Sequence, residues 1–374
     1  MIYIILSVIL FFLILIFFKY KPIVRGIIYN YPDKNDNIRF QKNTIFNNPD
    51  LQFRFNKLNT KIDYGESLIL DDWKFENALR KNLRDYIIDH KTNGFIIIKE
   101  DSVLFEEYYR DMNSNSFFPS YSIAKSILAI LTGIAIEEKY FNENDLIINY
   151  IPELKQINKA DSVLISDLLN HTSGIKTNRY IDAILYYGDN FWDVIKHLKI
   201  SRNPGEYQEY QNINSQLLGL IISRTTNKTL SEYLQEKIWK KIGTSDIAFW
   251  NIFKDNNIEK CFCCLNAKAI DYAKFGRLIL NKGKFNNKQI VSEKWIKSIT
   301  ETNTYRGSSR SYNKSWYLGL KEYQDFMAIG LYKQFIYIAP KKNIIIIRLG
   351  EREKKLHEEK ARWARTFREI VDQL

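Results

Sequence analysis

The residues of this sequence best suited to chemistry are Ser122 and Lys125, in the stretch Ser-Tyr-Ser-Ile-Ala-Lys at 120–125. Apolar residues recur at three- and four-residue steps from Ile123 to Ile134, which predicts a buried helix beginning here. Ser122 and Lys125 then lie one turn apart on one face. A lysine can take the serine proton when burial and the positive helix end disfavour its ammonium form. The N–H groups of the same helix end could stabilise an oxyanion. The stretch thus indicates a serine nucleophile with a lysine base.

The Ser-x-x-Lys spacing is short and occurs twice more, at 173–176 and 311–314. Those two copies lie in stretches rich in Gly, Asn and Ser, which are typical of loops, whereas the copy at Ser122 opens an apolar helix. On the motif alone, an N-cap serine followed by a solvated lysine is the favoured interpretation.

A second candidate element is Tyr210-x-Asn212, just ahead of a predicted helix at 213–225. A phenol that shares its proton with a neighbouring amine can relay protons between nucleophile, leaving group and water. An amide such as Asn212 can orient the lysine or a substrate carbonyl. The alternative is that Tyr210 is an amphipathic core residue, which is the usual role of a tyrosine near a helix start.

Together and in this order, these elements resemble the serine β-lactamase and penicillin-recognising family, over about residues 90–350. The stretches that carry the resemblance are Ser122–Lys125, Leu168–Ile175, Pro204–Gly219 with Tyr210–Asn212, and Asp271–Leu278. The closer likeness is to the class C-like branch with esterases and 6-aminohexanoate-dimer hydrolases, whose Cys-Cys-x-Asn-Ala pattern stands at Cys263–Ala267.

The resemblance implies a serine hydrolase that cleaves an amide or ester through an acyl-enzyme on Ser122. Lys125 and Tyr210 would move the protons, Asn212 would contact lysine or substrate, and no metal or organic cofactor would be needed. His171 lies in a stretch that the family uses structurally, and no Gly-x-Ser-x-Gly elbow is present, so a structural role is favoured over a catalytic base.

The third family motif is normally Lys-Thr-Gly on a strand beside the nucleophile, and here Ala328-Ile329-Gly330 takes its place. In the family that lysine helps to bind the carboxylate of penicillin-like substrates, so Ala328 disfavours efficient β-lactam hydrolysis. Gly330 still lets substrate approach the strand, and the Leu331 N–H could join that of Ser122 in an oxyanion hole. Lys333 is a further departure, at a position where relatives often carry glycine.

Two alternatives to a general amidase or esterase remain open. One is a D-alanyl peptidase or β-lactamase that acts on wall-derived substrates. The other is an inactive relative that binds wall peptide or a protein partner without turnover. The presence of Ser122, Lys125 and Tyr210 argues against the second alternative.

The pattern along the chain predicts an α+β fold. A β-hairpin is indicated at 94–99 and 103–108, helices dominate from 122 to 300, and strand patterns return at 324–329, 334–338 and 343–349. A charged amphipathic helix follows. Strands at both ends predict one antiparallel sheet built from both chain ends, with a helical lobe inserted between them, in a domain over 66–374.

The first 18 residues are an unbroken apolar run followed by Lys19, Lys21 and Arg25. This length is just enough to cross a hydrocarbon core of about 30 Å, so residues 1–20 are predicted to form a membrane anchor. Residues 21–65 are interpreted as a tether or lead-in. The basic residues favour a cytoplasmic domain, yet long domains can be translocated despite them, and we expect the extracytoplasmic side.

The net charge of +12 and the pI near 9.2 raise the possibility of nucleic-acid binding. Lysines and arginines are interspersed with acidic residues and no nucleic-acid motif accompanies them, so this class is disfavoured, and a basic surface near an anionic membrane is sufficient. The three cysteines, Cys261, Cys263 and Cys264, fall together, which excludes a long-range disulfide framework. Without a Cys-x-x-Cys spacing or nearby histidine, buried small side chains are favoured over a metal cluster.

Overall fold

The computed structural model describes residues 20–29, 31–58, 60–72, 79–352 and 359–374. The α-helices are α1 (Lys21–Tyr29), α2 (Asp36–Arg39), α3 (Tyr64–Ser67), α4 (Leu83–Asp89), α5 (Ile123–Glu137), α6 (Ile165–Asn170), α7 (Arg179–Tyr187), α8 (Trp192–Ile195), α9 (Asn212–Thr226), α10 (Leu230–Leu234), α11 (Ala269–Leu280), α12 (Glu293–Thr300) and α13 (Glu359–Gln373). The strands are β1 (Lys42–Ile45), β2 (Asn56–Lys57), β3 (Ile69–Asp72), β4 (Leu79–Asn82), β5 (Thr92–Lys99), β6 (Ser102–Tyr108), β7 (Phe118–Pro119), β8 (Ile175–Lys176), β9 (Lys199–Ile200), β10 (Ala248–Phe253), β11 (Ile258–Glu259), β12 (Leu265–Ala267), β13 (Lys284–Phe285), β14 (Lys288–Gln289), β15 (Tyr312–Asn313), β16 (Trp316–Leu318), β17 (Phe326–Gly330), β18 (Gln334–Ala339) and β19 (Ile344–Gly350).

The main sheet has eight strands in the order β15-β16-β17-β18-β19-β5-β6-β2. Its pairs are antiparallel except for the short edge pair of β2 with β6. Strand β19, from the end of the chain, pairs with β5, from its beginning, so that Ile345 lies opposite Ile98. The four successive isoleucines of β19 suit a strand that is buried on both faces. This confirms the predicted α+β fold, with a sheet assembled from both chain ends.

Helices cover both faces of this sheet because alternate residues of its central strands point to opposite sides. Ile96 and Ile98 of β5 join the cluster that contains α5 and α11. Phe95 and Ile97 join a second cluster with the aromatic side of the final helix, α13. The face toward α5 is the one that positions the site.

A second, smaller sheet runs in the order β1-β10-β12-β7, with β11 paired to β10, and it was not predicted. Its strands are two to six residues long, too short to show a clear alternation. Strand β7 leads directly into the nucleophile stretch, where the Ser120 N–H donates to the Leu265 carbonyl at 2.7 Å. This sheet therefore fixes one side of the loop before Ser122.

Residues 192–199, which lie in the stretch predicted to be mainly helical, are another difference. Helix α8 ends at Ile195, and Lys199–Ile200 forms strand β9, which pairs with β8. Helix α7, over Arg179–Tyr187, does carry a sequence signal, because Ile181, Ile184 and Leu185 follow a helical spacing after the N-cap Asn178, whose side chain accepts the Ile181 N–H. At Lys199–Ile200, in contrast, pairing with β8 decides the local structure.

The predicted membrane anchor over residues 1–20 must be corrected. Residues 1–19 lie outside the described part of the chain, and within that part no helix has the length and apolar character needed to cross a membrane. The first described helix, α1, has nine residues and measures about 14 Å. Its Lys21 and Arg25 form ion pairs with Asp189 at 2.5 and 2.7 Å. The described part of the chain therefore does not support the predictions of membrane attachment and of an extracytoplasmic location through this anchor.

Candidate active site

Ser122 stands immediately before α5 in a turn that its neighbour makes sharp. Tyr121 has a φ of +43° and is buried, while Ser122 itself returns to φ −70° and caps the helix. Helix α5 is buried along most of its length because its sequence is apolar on nearly all sides, so its N-terminal end is held firmly in the core. Ser122 is left half-buried at the edge of that core.

Lys125 lies one turn into α5, and its ammonium nitrogen contacts the serine. Lys125 Nζ donates to Ser122 Oγ at 2.9 Å and to the Phe262 carbonyl at 2.6 Å. Nζ also lies 5.0 Å from the centre of the Tyr210 ring and 5.6 Å from that of Phe262. The lysine is 1 % exposed. Burial, one carbonyl acceptor and two aromatic rings therefore fix Nζ against Ser122.

The Phe262 carbonyl belongs to a tight loop that contains all three cysteines. Trp250 Nε1 donates to the carbonyls of Lys260 and Cys263 at 3.1 and 2.8 Å, which holds the loop from its other side. Cys263 and Cys264 are joined by a disulfide between sequence neighbours, and Cys261 is a buried free thiol. A backbone acceptor for Lys125 cannot be predicted here from residue types, although the Cys-Cys-x-Asn-Ala pattern marks the loop.

Tyr210 approaches the same serine from the segment that precedes α9. Its hydroxyl lies close enough to Ser122 to interact with it, while burial of that hydroxyl raises the pKa of Tyr210 well above its ordinary value. The residue as a whole keeps 42 % of its surface exposed, so the ring lines an open cleft while its hydroxyl end points inward. At neutral pH the phenol is protonated and available as a proton donor.

His171 packs against the ring of Tyr210. The two rings are stacked, with centroids 4.6 Å apart and planes 21° from parallel. His171 Nδ1 accepts the Gln211 N–H at 3.2 Å and lies 3.2 Å from Asn214 Nδ2. Burial, reinforced by the positive charge of Lys125, lowers the pKa of His171 to about 3, so the imidazole is neutral at neutral pH.

The end of strand β17 closes the site on the sheet side. A Cβ built on Gly330 would lie 2.5 Å from the Ser120 carbonyl oxygen, so the strand end touches the nucleophile loop closely. Leu331 follows at the start of a short turn, in which Tyr332 and Lys333 both have positive φ, +58° and +64°. Ala328, in the place of the family lysine, is fully buried in β17.

The buried side chain of Arg348 holds this turn in place. Its Nη1 donates to the Tyr332 and Lys333 carbonyls at 2.8 and 2.7 Å.

The structure thus brings Ser122, Lys125 and Tyr210 into one contact group, and places Gly330 against the loop that carries Ser122. Asn212 is the first residue of α9 and is half-buried. The other two Ser-x-x-Lys copies serve different contacts. Ser173 Oγ donates to Asn214 Oδ1 at 2.6 Å, and Lys314 Nζ binds Glu143 at 3.0 Å.

Comparison with known proteins agrees with this geometry. A 6-aminohexanoate-dimer hydrolase from Paenarthrobacter ureafaciens is 22 % identical over 296 residues, which cover 69 % of this chain and 72 % of that protein. A solved structure from Bacillus anthracis, described as a 6-aminohexanoate-dimer hydrolase, has a TM-score of 0.81 at 25 % identity and covers 89 % of this chain and 91 % of its own. A class C beta-lactamase shares the fold, with a TM-score of 0.61 at 14 % identity over 78 % of this chain and 94 % of its own. The sequence profile of the Beta-lactamase family matches residues 79–369. The chain therefore belongs to the Beta-lactamase family and is a serine hydrolase.

Proposed function

We propose that the chain hydrolyses an amide or ester through an acyl-enzyme on Ser122, with Lys125 and Tyr210 as the groups that move protons. The observation that carries this proposal is the 2.9 Å contact between Lys125 Nζ and Ser122 Oγ, made by a lysine that is almost wholly buried. The placement of the Tyr210 hydroxyl beside the same serine supports it. A nucleophile within reach of its base, with a third group beside both, is the arrangement that activates a serine.

In acylation, Lys125 reacts in its amine form, reached when its ammonium gives a proton to solvent, and takes the hydroxyl proton as Ser122 Oγ bonds to the substrate carbonyl carbon. The ammonium that forms is stabilised by the Phe262 carbonyl and by the ring of Tyr210. Tyr210 then gives its phenolic proton to the leaving amine or alcohol and regains one from Lys125. Serine, lysine and tyrosine thereby return to their starting protonation, and the acyl group stays on Ser122.

The developing oxyanion is assigned to the backbone N–H groups of Ser122 and Leu331. Ser122 lies at the positive end of α5, and Leu331 follows Gly330, which approaches the nucleophile loop without a side chain in between. Deacylation repeats the sequence with water. A water molecule attacks the ester carbonyl and gives one proton to the Tyr210–Lys125 pair. The pair returns a proton to Ser122 Oγ as the bond between Oγ and the acyl group breaks. Asn212 is assigned to substrate or lysine contact.

For the substrate, we propose a linear amide or ester rather than a β-lactam. The relative from Paenarthrobacter ureafaciens is named for hydrolysis of the 6-aminohexanoate dimer, so that compound is the first amide to assay. Ala328 is small, apolar and buried at the position where the resemblance places a carboxylate-binding lysine, and so it cannot serve that purpose.

The test is the intact mass of the folded protein after exposure to a fluorophosphonate, which would phosphonylate an activated serine with loss of fluoride. We expect one adduct on the parent, none on Ser122→Ala, and one on Ser311→Ala, which alters a serine of another Ser-x-x-Lys copy. An adduct on Ser122→Ala, or none on the folded parent, would refute the assignment. A fluorescent penicillin in parallel distinguishes the peptidase alternative, which requires covalent labelling at Ser122.

A further inference from the structure

We infer that His171 is a positioning residue that holds the Tyr210 hydroxyl at Ser122, through its ring and through Nδ1. The inference rests on the proposed function, because it assigns a purpose to the placement of Tyr210. It concerns a residue that would not touch substrate, because His171 is 1 % exposed and its ring is stacked on that of Tyr210.

The segment 209–211 needs such a support because it has no regular structure of its own. His171 supplies three contacts to it. The His171 carbonyl accepts the Glu209 N–H at 2.9 Å, Nδ1 accepts the Gln211 N–H at 3.2 Å, and the ring stacks on Tyr210 between them. The backbone is thus held on both sides of Tyr210 by one residue, and the stacked ring sets the orientation of the phenol.

His171 is itself held rigidly. It ends α6 in the left-handed conformation, with φ +57°, and its ring also lies 5.7 Å from that of Tyr312. Asn214 of α9 faces Nδ1, and its own Oδ1 accepts Ser173 Oγ at 2.6 Å. Helices α6 and α9 therefore set the position that His171 imposes on Tyr210.

The arrangement requires a neutral imidazole with its proton on Nε2. Nδ1 must stay an acceptor for the Gln211 N–H. A proton on Nδ1 would make it a hydrogen-bond donor, which would then face the Gln211 N–H, also a donor. An imidazolium would also place a second positive charge close to Lys125. The lowered pKa of His171 agrees with this requirement, so its effect on Tyr210 stays constant over the working pH range.

The test is a double-mutant cycle with Tyr210→Phe, measured as kcat and KM on an ester substrate of the parent. His171→Asn keeps an acceptor near Nδ1 and tolerates the left-handed backbone, but it removes the stacked ring. We expect about a 10- to 100-fold loss of kcat with little change in KM, as misplacement of a catalytic group produces. In the Tyr210→Phe background the same change should have almost no effect, because the hydroxyl that it positions is gone.

Two outcomes would overturn the inference: full kcat in His171→Asn, or an equal loss in both backgrounds, which would mark a general structural defect. If Tyr210→Phe alone keeps full kcat, the proposed role of Tyr210 fails instead. His171→Gln provides a second variant should His171→Asn fold poorly, and thermal unfolding reports folding in each case. The control is His197→Asn, at an exposed histidine that contacts Tyr180, with ring centroids 5.3 Å apart, and it should keep the parent kcat.

Discussion

Replacement of Gly330 by alanine tests the closeness of strand β17 to the nucleophile loop. The new Cβ would lie 2.5 Å from the Ser120 carbonyl oxygen, about 0.9 Å inside the 3.4 Å at which ordinary van der Waals contact begins. On the other side, Gln334 Cβ and Cγ would lie at 3.0 and 3.2 Å. Neither a rotamer change nor a simple retreat of the strand relieves the clash, because the close atom is backbone and the opposite side is occupied.

The strand end and the loop must therefore separate by several tenths of an ångström. A donor at about 2.7–3.1 Å from an oxyanion loses most of its effect when moved by that much, and loss of one such donor costs about 10²–10³ in kcat. We expect Gly330→Ala to lose kcat in this range on an ester substrate, and overpacking to cost about 1–3 kcal/mol of unfolding free energy.

The assay pairs steady-state kinetics with urea denaturation, so that a loss of activity is separated from a loss of fold. The matched control is Gly94→Ala in β5, where the nearest atoms to the new Cβ are ring carbons of Tyr108 and Phe118, at 3.2–3.4 Å, which can yield. It should keep kcat within a few-fold. A folded Gly330→Ala with the kcat of the parent would refute the proposed contribution of the Leu331 N–H.

Three further predictions follow from individual lysines. Lys125→Met should lower kcat by about 10²–10⁴ because the base is lost, whereas Lys176→Met, in another Ser-x-x-Lys copy, should leave ester turnover unchanged. Burial lowers the pKa of Lys260 from 10.5 to about 7, so between these pH values the unfolded chain binds the extra proton and stability rises with pH. Lys260→Met has no group that titrates there, so the parent's unfolding free energy should rise relative to the variant's by about 1.4 kcal/mol per pH unit. Urea titrations at pH 7, 8 and 9 measure both free energies, and a difference between them that stays constant with pH contradicts the prediction. Lys139 follows the end of α5 with φ +65°, so Lys139→Gly should raise the unfolding free energy by about 1 kcal/mol. Glu137→Gly, within the helix, should lower the unfolding free energy by a similar amount. Thermal unfolding measures both changes.

The elements that could be predicted are those whose pattern is long and local. Helix α5, the β5–β6 hairpin and the isoleucine-rich β19 each carry a clear period or an unbroken apolar run. Strands β7 and β12 have two and three residues, and they become strands only through their partners.

The same distinction applies to the site. Ser122 and Lys125 share one helical turn, so their spacing is visible in the sequence. The Phe262 carbonyl that fixes Lys125 lies 137 residues further along the chain and is a backbone atom, which no residue type reveals. Lys21 and Arg25 show the same limit: the sequence places them next to an apolar run, but their ion-pair partner, Asp189, stands far away in sequence.

The pairing of β19 with β5 has a consequence for the order in which the enzyme becomes active. During synthesis Ser122, Lys125 and Tyr210 leave the ribosome well before the strands β17 to β19, so the sheet that presents Gly330 and Leu331 cannot close until the last part of the chain is made. Such long-range pairing is slow, because the entropy of a large loop is lost before the contacts between the strands stabilise the chain. A nascent or C-terminally truncated chain would carry its nucleophile without the sheet side of the cleft. Hydrolytic competence would therefore arise late in synthesis, once β17 to β19 have been made and have paired.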